Sequence, residues 1–426
     1  MKNKSVVLIL LLTALLTMFS ADVFAETPTA PVAPTVAPAS APTQASPNTI
    51  EAIKNQVMAE VNNAAGNETA NLQVGAAIIA DPITKNVIYE KNSNQKMYPA
   101  SITKLMSFVI IYEGINSGKF KLTDPVTISP TVEAVNEGDI KLKAGEIWQL
   151  QELLYAMSII SANDASVAVA EYAAGSEAQY AEMMNAKATE LGMKNTHFMN
   201  CTGLHDENHY TTAHDLFTLA CHAVEIPQLL ALTSTQKHVF NLSTGQVTLN
   251  CTNKVLDWYP GADGLKTGFT TPAGHCLAAT AVKDNMRLIS IVLGCPAKYG
   301  HYSETMKLLN YGFSKYALKD VVTANTTVAT IDLPKGKTEN IKVCPQDTIT
   351  LPTAKEGDSG YKVSCKMDSQ IVAPVQKGDI IGKVFITANG KEIATTPMVA
   401  AESIDKENIF QSAYRGVRDF FRKITT

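Results

Sequence analysis

The chain has 426 residues, of which 46% are hydrophobic, and a formal net charge of −4. This length is enough for one large domain and one small domain. The mild acidity gives no reason to expect a nucleic-acid partner.

The pattern of residues 1–25 predicts a signal peptide for export. Lys2 and Lys4 precede an apolar run from Val6 to Phe19, and a small-residue cleavage site ends at Ala25. The alternative is an uncleaved membrane anchor, but at about 14 residues the run is shorter than the ~20 that a span needs. In both cases we expect an exported protein at the outer face of the cytoplasmic membrane.

Residues 26–48 are rich in Pro, Ala and Thr and carry almost no charge. Such a segment cannot bury a core, so we predict an extended linker without a binding role. Apolar residues at helical spacing from Ile50 to Val61 then predict a short amphipathic helix.

Residues 49–318 form the first predicted domain. Val74–Glu90 has the pattern of a strand, a turn and a strand. Helices are predicted at Ser101–Tyr112, Ile147–Ile160, Ala165–Ala173, Glu177–Leu191, Ala213–Val224 and Tyr302–Tyr316. Strands are predicted at Leu265–Thr271, His275–Val282 and Met286–Leu293. Strands at both ends with helices between them predict an α+β fold, in which helices flank an antiparallel sheet.

Residues 319–402 alternate short β-rich runs with Gly, Pro and Asp turns, which predicts a small all-β domain. Residues 403–426 predict an amphipathic helix. Its apolar stripe is Phe410, Tyr414, Val417, Phe421 and Ile424, and Arg415, Arg418, Arg422 and Lys423 lie off that stripe. Five basic and three acidic residues in this segment favour an anionic membrane surface over packing on its own domain.

Three short motifs follow one another along the first domain. They are Ser101-Ile102-Thr103-Lys104, Ser161-Ala162-Asn163 and Lys266-Thr267-Gly268. Each one is weak alone, but together, in this order and setting, they indicate a serine acyl-transfer site in which lysine handles the proton.

The first motif supplies a nucleophile and its base. Positions i and i+3 share one face of a helix, so Lys104 lies beside Ser101. A serine hydroxyl reacts well only when a neighbouring base removes its proton. Lys104 is that base when its amine is neutral, a state that burial and the charge of Lys266 favour. Backbone N–H groups at the start of the helix are suited to an oxyanion.

The second and third motifs supply proton transfer and recognition. The Ser161 hydroxyl is placed to relay a proton to the leaving amine, and Asn163 is suited to holding a substrate amide. Lys266 and Thr267 bring a positive charge and a hydroxyl, which suit a substrate carboxylate. Gly268 allows a close approach of the backbone.

Other polar groups fit structural roles better. His205, His209 and His214, with Asp206 and Asp215, match no zinc pattern, so we expect no metal and no cofactor. We predict that Asp164 caps a helix and that His275 is a sheet residue. The cysteines form no C-x-x-C pair, and in this exported chain Cys344 and Cys365 are the candidates for a disulfide.

From about Val74 to its C-terminus the chain resembles the D-alanyl-D-alanine carboxypeptidases of the low-molecular-mass penicillin-binding protein type. Tyr98–Met106 is similar to the nucleophile segment of that family. Asn200–Leu204 and Thr212–Asp215 resemble its middle segment, and Asp263–Thr270 resembles its strand motif. The β domain and the basic tail also match this branch of the family.

The resemblance implies that Ser101 attacks the bond between the two terminal D-alanines of a peptidoglycan stem peptide, and that β-lactams acylate Ser101. It implies an oxyanion hole formed by the backbone N–H groups of Ser101 and Phe269. Many relatives bind the substrate carboxylate with an Arg, where this chain has His301. Either His301 or Lys298 is expected to replace that Arg.

Three other functions share some of these features. A class A β-lactamase needs a deacylating Glu in an E-x-x-L-N segment, which this chain lacks between its second and third motifs. A transpeptidase or endopeptidase acting on peptidoglycan stays open, because the acyl-enzyme can also react with an amine. A non-catalytic wall-binding protein is disfavoured by the complete set of motif residues.

Overall fold

A computed structural model of the protein describes residues 47–64, 71–135, 138, 140–242, 245–367 and 371–425. The helices in these ranges are α1 (Pro47–Asn63), α2 (Lys104–Asn116), α3 (Pro130–Glu133), α4 (Leu150–Ile159), α5 (Asn163–Ala174), α6 (Glu177–Glu190), α7 (Ala213–Val224), α8 (Pro227–Thr233), α9 (Val255–Trp258), α10 (Gly300–Lys315) and α11 (Ile409–Thr425).

The strands in the same ranges belong to several antiparallel sheets. They are β1 (Ala76–Ala80), β2 (Val87–Lys91), β3 (Pro125–Thr127), β4 (Ile147–Gln149), β5 (Lys237–Leu242), β6 (Gly245–Asn250), β7 (Ala262–Thr270), β8 (Gly274–Lys283), β9 (Met286–Cys295), β10 (Tyr316–Val322), β11 (Ala329–Asp332), β12 (Asn340–Pro345), β13 (Ile349–Ala354), β14 (Tyr361–Met367), β15 (Ile380–Ala388) and β16 (Lys391–Ala400).

The largest sheet of the first domain has the strand order β2-β1-β9-β8-β7, and its neighbouring strands are antiparallel. Side chains alternate between the two faces of a strand. Ala76 and Ile78 of β1 therefore pack in one core cluster with α2 and α7, whereas Ala77 and Ile79 pack in another with α10. Helices thus cover both faces, which confirms the predicted α+β fold and leaves β7 at the edge.

Helix α2 lies in the middle of the helical layer, because nearly all of its residues are buried. The predicted start of the helix at Ile147–Ile160 was wrong. Residues Ile147–Gln149 form β4, which pairs with β3, and α4 begins only at Leu150. Ile147 and Trp148 are residue types that favour strands, and a neighbouring strand is available here for pairing.

The second domain is all β, as predicted. Its main sheet has the order β11-β12-β16-β15-β14, and β10 pairs with β13. Cys344 is buried in β12 and Cys365 is exposed in β14, and both are free thiols. The candidate disulfide is therefore wrong. Two strands separate β12 from β14, so the cysteines are at least roughly 14 Å apart, about twice the span of a disulfide.

Helix α11 follows the second domain at the end of the chain. Among the residues that the structure describes, no single helix has the length and apolar character to cross a membrane. Helices α7 and α8 meet these criteria only as a pair bent by 109°, by length and composition alone. The predicted signal (1–25) lies outside the described residues, as does the predicted linker (26–48) except for Pro47 and Asn48, which begin α1.

Candidate active site

The nucleophile segment is a 3-10 turn, Ala100–Thr103, that runs directly into α2. Ala100 has a left-handed backbone, with φ of 48°. This turn places Ser101 at the N-terminus of α2, half-buried, and its Oγ lies 3.3 Å from the carbonyl oxygen of Thr202. The predicted nucleophile is therefore held between the helix and the segment that contains Thr202.

Lys104 lies on the same face of the helix and is completely buried. Its Nζ is 2.9 Å from Ser101 Oγ, 2.7 Å from Asn163 Oδ1 and 2.7 Å from the Thr202 carbonyl oxygen. Burial first, and then the positive charge of Lys266, lower the pKa of Lys104 well below its ordinary value. The residue predicted to be the base thus lies in an environment that favours the neutral amine.

The second motif lies between α4 and α5. Ser161 has a left-handed backbone with φ of 66°, and Asn163 is the first residue of α5. The Nζ of Lys266, on β7, donates to Ser161 Oγ at 3.0 Å and to the Thr267 carbonyl oxygen at 3.0 Å. Burial lowers the pKa of Lys266 to about 8. The structure therefore brings all three motifs together around two buried lysines.

Strand β7 approaches the nucleophile closely at Gly268. A Cβ at this position would lie 2.9 Å from the Pro99 carbonyl oxygen and 2.9 Å from the Ser101 nitrogen. Only glycine fits at such distances. The backbone of Phe269 follows directly, and its side chain is 55% exposed and stacks on His275 at 4.4 Å.

His301, the predicted replacement for Arg, lies in the first turn of α10 and is 5% exposed. Its ring stacks on His275 at 5.1 Å and is 3.9 Å from the Tyr302 ring. Within the described part of the chain its Nδ1 has no hydrogen-bond partner. Burial lowers the pKa of His301 to about 3. The ring is thus neutral at neutral pH and offers no positive charge, whereas Lys298 is exposed beside the ring of Tyr299.

Two contributors were missed from sequence. The carbonyl of Thr202 accepts a hydrogen bond from Lys104, and a backbone atom leaves no signature in residue type. Thr252 Oγ1 lies 3.0 Å from Thr267 Oγ1. The Thr252 carbonyl also accepts from the Tyr302 hydroxyl at 2.6 Å. For Thr202, the only indication from the sequence was the resemblance of Asn200–Leu204 to the middle segment of the family.

Several other polar residues that were considered as functional candidates form hydrogen bonds within the fold. His209 is buried, bonds to Thr103 Oγ1 at 2.8 Å and accepts from the Met199 N–H. In the ranges that the structure describes, no group of three or more metal-ligating side chains lies together. Asp164 lies in the first turn of α5, not at its N-cap, and one of its oxygens holds the Ile140 and Leu142 N–H groups.

Comparison with known proteins identifies the family of this chain. The family model of the D-alanyl-D-alanine carboxypeptidases matches residues 62–297, and the model of the penicillin-binding protein 5 C-terminal domain matches residues 316–406. The D-alanyl-D-alanine carboxypeptidase DacF of Bacillus subtilis is 35% identical over 359 residues, which cover 83% of this chain and 92% of that protein.

Solved structures show the same relationship. Penicillin-binding protein 5 from Haemophilus influenzae has a TM-score of 0.63 and 28% identity, covering 80% of this chain and 100% of that one. Penicillin-binding protein D2 from Listeria monocytogenes, in its ampicillin-bound form, has a TM-score of 0.52 and 29% identity, covering 58% of this chain and 100% of that one. The family predicted from the motifs is confirmed, and this chain belongs to the D-alanyl-D-alanine carboxypeptidases.

Proposed function

We propose that this protein is a serine-type carboxypeptidase that removes the terminal D-alanine from peptidoglycan stem pentapeptides through an acyl-enzyme on Ser101. The observation that carries the proposal is the 2.9 Å contact between Ser101 Oγ and the buried Nζ of Lys104. Family membership supplies the substrate class, because the matched model is that of D-alanyl-D-alanine carboxypeptidases.

Acylation begins with neutral Lys104. Ser101 Oγ attacks the carbonyl carbon of the penultimate D-alanine while its proton moves to Lys104 Nζ. The carbonyl oxygen becomes an oxyanion, for which we assign the backbone N–H groups of Ser101 and Phe269 as donors. The close approach of β7 at Gly268 supports this assignment.

Breakdown of the tetrahedral intermediate needs a proton on the leaving amine. Ser161 Oγ lies 3.0 Å from Lys266 Nζ, and Asn163 bonds to Lys104. We therefore assign Ser161 as the shuttle that passes the proton held by Lys104 to the nitrogen of the departing D-alanine, which returns Lys104 to its neutral form. The C–N bond breaks, D-alanine leaves, and water then cleaves the Ser101 ester with Lys104 again as base.

The leaving D-alanine carries the substrate carboxylate. Lys266 and the hydroxyl of Thr267 are assigned to bind it, with Gly268 leaving room for the chain. A neutral His301 contributes at most a hydrogen bond, so we assign the main attraction to Lys266, whose pKa of about 8 leaves it mostly charged at neutral pH.

β-Lactams are expected to acylate Ser101 as substrate mimics. The relative from Listeria monocytogenes that was solved in its ampicillin-bound form supports this expectation. No cofactor is needed for any step proposed here, because the nucleophile, base and oxyanion donors are all groups of the chain.

The reaction is tested by incubating full-length protein with a diacyl-Lys-D-Ala-D-Ala peptide and quantifying every product. Release of free D-alanine without a coupled peptide, dependent on Ser101, is the predicted result. Coupling of the acyl group to an added amine acceptor in preference to water would indicate a transpeptidase instead. Equal release by a Ser101→Ala variant would exclude the proposed mechanism.

We also propose how the rest of the chain serves this reaction. Residues 1–25 are assigned as an export signal and 26–48 as a linker. Residues 49–318 are the catalytic domain, 319–402 the β domain and 403–426 a membrane-associating helix. The enzyme would then work at the outer face of the cytoplasmic membrane, where peptidoglycan stem peptides are found.

The membrane role of α11 rests on its exposed stripe. Phe410 is 86% exposed, Tyr414 is 73%, Val417 is 57% and Phe421 is 61%. Apolar side chains arranged in this way are suited to a membrane interface. The side chains of Arg422, Lys423 and Ile424 lie outside the described residues.

Two of the basic residues hold the helix to the β domain. Arg415 donates to the Gly336 carbonyl oxygen at 2.8 Å and pairs with Glu407, and Arg418 pairs with Glu339. These contacts keep α11 on the β domain while its apolar stripe stays exposed.

Flotation with anionic liposomes tests the membrane role. Full-length protein is compared with a chain ending at Glu402 and with a Phe410→Ser, Phe421→Ser variant; a Gln411→Ser variant is the control. We expect the full-length protein and the Gln411→Ser control to float, and the other two proteins to stay unbound. Equal flotation of all four proteins would exclude α11 as the anchor.

A further inference from the structure

A cavity of about 410 Å³ lies beside the nucleophile segment. Its lining residues are Lys96, Met97, Tyr98, Glu207, Tyr210 and Pro272. We infer that this cavity binds the side chain of the stem residue that precedes the two D-alanines, and that it favours a side chain ending in both an ammonium and a carboxylate. This inference rests on the proposed function and specifies the substrate class of the same site.

The position of the cavity follows from the two elements that border it. Tyr98 belongs to the segment leading into Ser101, and Pro272 follows the end of β7 at Thr270. Strand β7 is the edge of its sheet, so an extended peptide can lie antiparallel along it. With its carboxylate at Thr267, the amino-terminal part of that peptide runs past Thr270 towards Pro272.

The walls of the cavity are held in place without a ligand. The Met97 N–H donates to the Thr211 carbonyl at 2.8 Å, and the Thr211 N–H donates to the Met97 carbonyl at 2.9 Å. This bridge fixes the segment that bears Lys96 against the segment that bears Glu207. The Tyr98 ring packs edge-on against His205 at 4.7 Å.

The lining offers two opposite charges. The ammonium of Lys96 lies 3.9 Å from the centre of the Tyr210 ring, a cation–π contact that orders the side chain. Glu207 brings a carboxylate to the same cavity. A ligand carboxylate is attracted by Lys96 and a ligand ammonium by Glu207. A lysine side chain has only the ammonium, so it gains from Glu207 and is repelled by Lys96.

Binding to a full-length Ser101→Ala protein tests the inference without turnover. Two pentapeptides that differ only at the third residue, meso-diaminopimelic acid or L-lysine, are titrated by calorimetry. Because the charges are exposed, we expect tighter binding of the diaminopimelic peptide by about two- to fivefold. In the Ser101→Ala protein, a further Lys96→Met substitution should make the affinities for the two peptides equal. The matched surface substitution Lys283→Met, at the β8–β9 turn, should leave the difference in affinity unchanged.

Glu207→Gln separates the two charges, because both peptides carry the ammonium. This substitution should weaken the binding of both peptides by the same factor and leave the ratio of their affinities unchanged. Equal affinity of the Ser101→Ala protein for the two peptides, or a ratio that survives Lys96→Met, would overturn the inference. D-Alanine release by the wild-type chain is measured separately on the same peptides. Its absence would count against the proposed function, whereas the binding ratio alone decides the role of the cavity.

Discussion

Lys104 Nζ lies 2.9 Å from Ser101 Oγ, and its two other contacts, Asn163 Oδ1 and the Thr202 carbonyl, are both acceptors. A neutral amine has two hydrogens and one lone pair. When these two hydrogens are donated to the two acceptors, the lone pair is left for the Ser101 hydroxyl. A neutral Lys104 held by these contacts can therefore take the serine proton.

Replacing Lys104 by Arg tests this arrangement. A guanidinium stays charged and has no lone pair to offer, so kcat/KM for D-alanine release should fall by about 10²–10⁴-fold. The matched control is Lys307→Arg on α10, where Lys307 pairs with Glu304, and its activity should be unchanged. A Lys104→Arg protein that keeps wild-type kcat/KM would rule out Lys104 as the base.

The activity should depend on pH through both buried lysines. Lys104 must be neutral, so kcat/KM rises as pH rises through its lowered pKa. Lys266 must be charged to attract the substrate carboxylate, so kcat/KM falls as pH rises through about 8. We expect a bell-shaped profile when kcat/KM is measured between about pH 5 and 10.

Lys266→Arg is the test of the basic limb. A guanidinium keeps its charge over this range, so the fall near pH 8 should disappear even if the overall rate is lower. A basic limb that stays at the same pH in Lys266→Arg would assign that limb to another group.

Gly203 should tolerate no side chain, because its φ is +83° and a Cβ would lie 1.9 Å from the Ala100 carbonyl oxygen. Gly192 has a similar φ of +77° but has open space around it. Gly203→Ala and Gly192→Ala thus share the cost of a left-handed alanine, about 1–2 kcal/mol, and only Gly203→Ala adds a clash beside Ser101.

Thermal unfolding and D-alanine release separate these two effects. We expect Gly203→Ala to lower Tm by several degrees more than Gly192→Ala and to lose at least about tenfold in kcat. Similar Tm and activity for the two variants would show that the approach of Gly203 to Ala100 is not required.

Thr252 should help to hold the substrate carboxylate through its 3.0 Å contact with Thr267 Oγ1. Thr252→Val removes one hydroxyl at nearly constant volume, so KM should rise about fivefold while kcat changes little. Thr189→Val, on the surface of α6, is the control. An unchanged KM would show that Thr252 does not contribute to substrate binding and that the Thr267 hydroxyl acts without it.

Local spacing accounts for the parts of the site that were predicted. Ser101 and Lys104 are three residues apart where a 3-10 turn runs into α2, and this helical geometry brings their side chains together. The apolar runs Val74–Ala80 and Met286–Leu293 predicted strands, and the strands found there, β1 and β9, pair although they are far apart in sequence. The order and setting of the three motifs then linked Ser161 and Lys266 to the same site.

The remaining features depend on tertiary packing. The contact between Thr252 and Thr267 joins a loop to a strand and has no sequence pattern. The neutral state of His301 follows from its burial beneath His275. Sheet order separates Cys344 from Cys365, and strand pairing with β3 overrides the helical pattern at Ile147. None of these can be obtained from local residue types alone.

Trapping the acyl-enzyme tests the central claim most directly. Full-length protein and its Ser101→Ala variant are incubated with benzylpenicillin, and intact mass and peptide mapping are recorded. Opening of the lactam ring releases no atoms, so the wild-type protein should gain the whole mass of the drug on the peptide that contains Ser101, and the variant should gain nothing. An adduct on a different residue, or the same adduct in the variant, would contradict the assignment of Ser101 as the nucleophile.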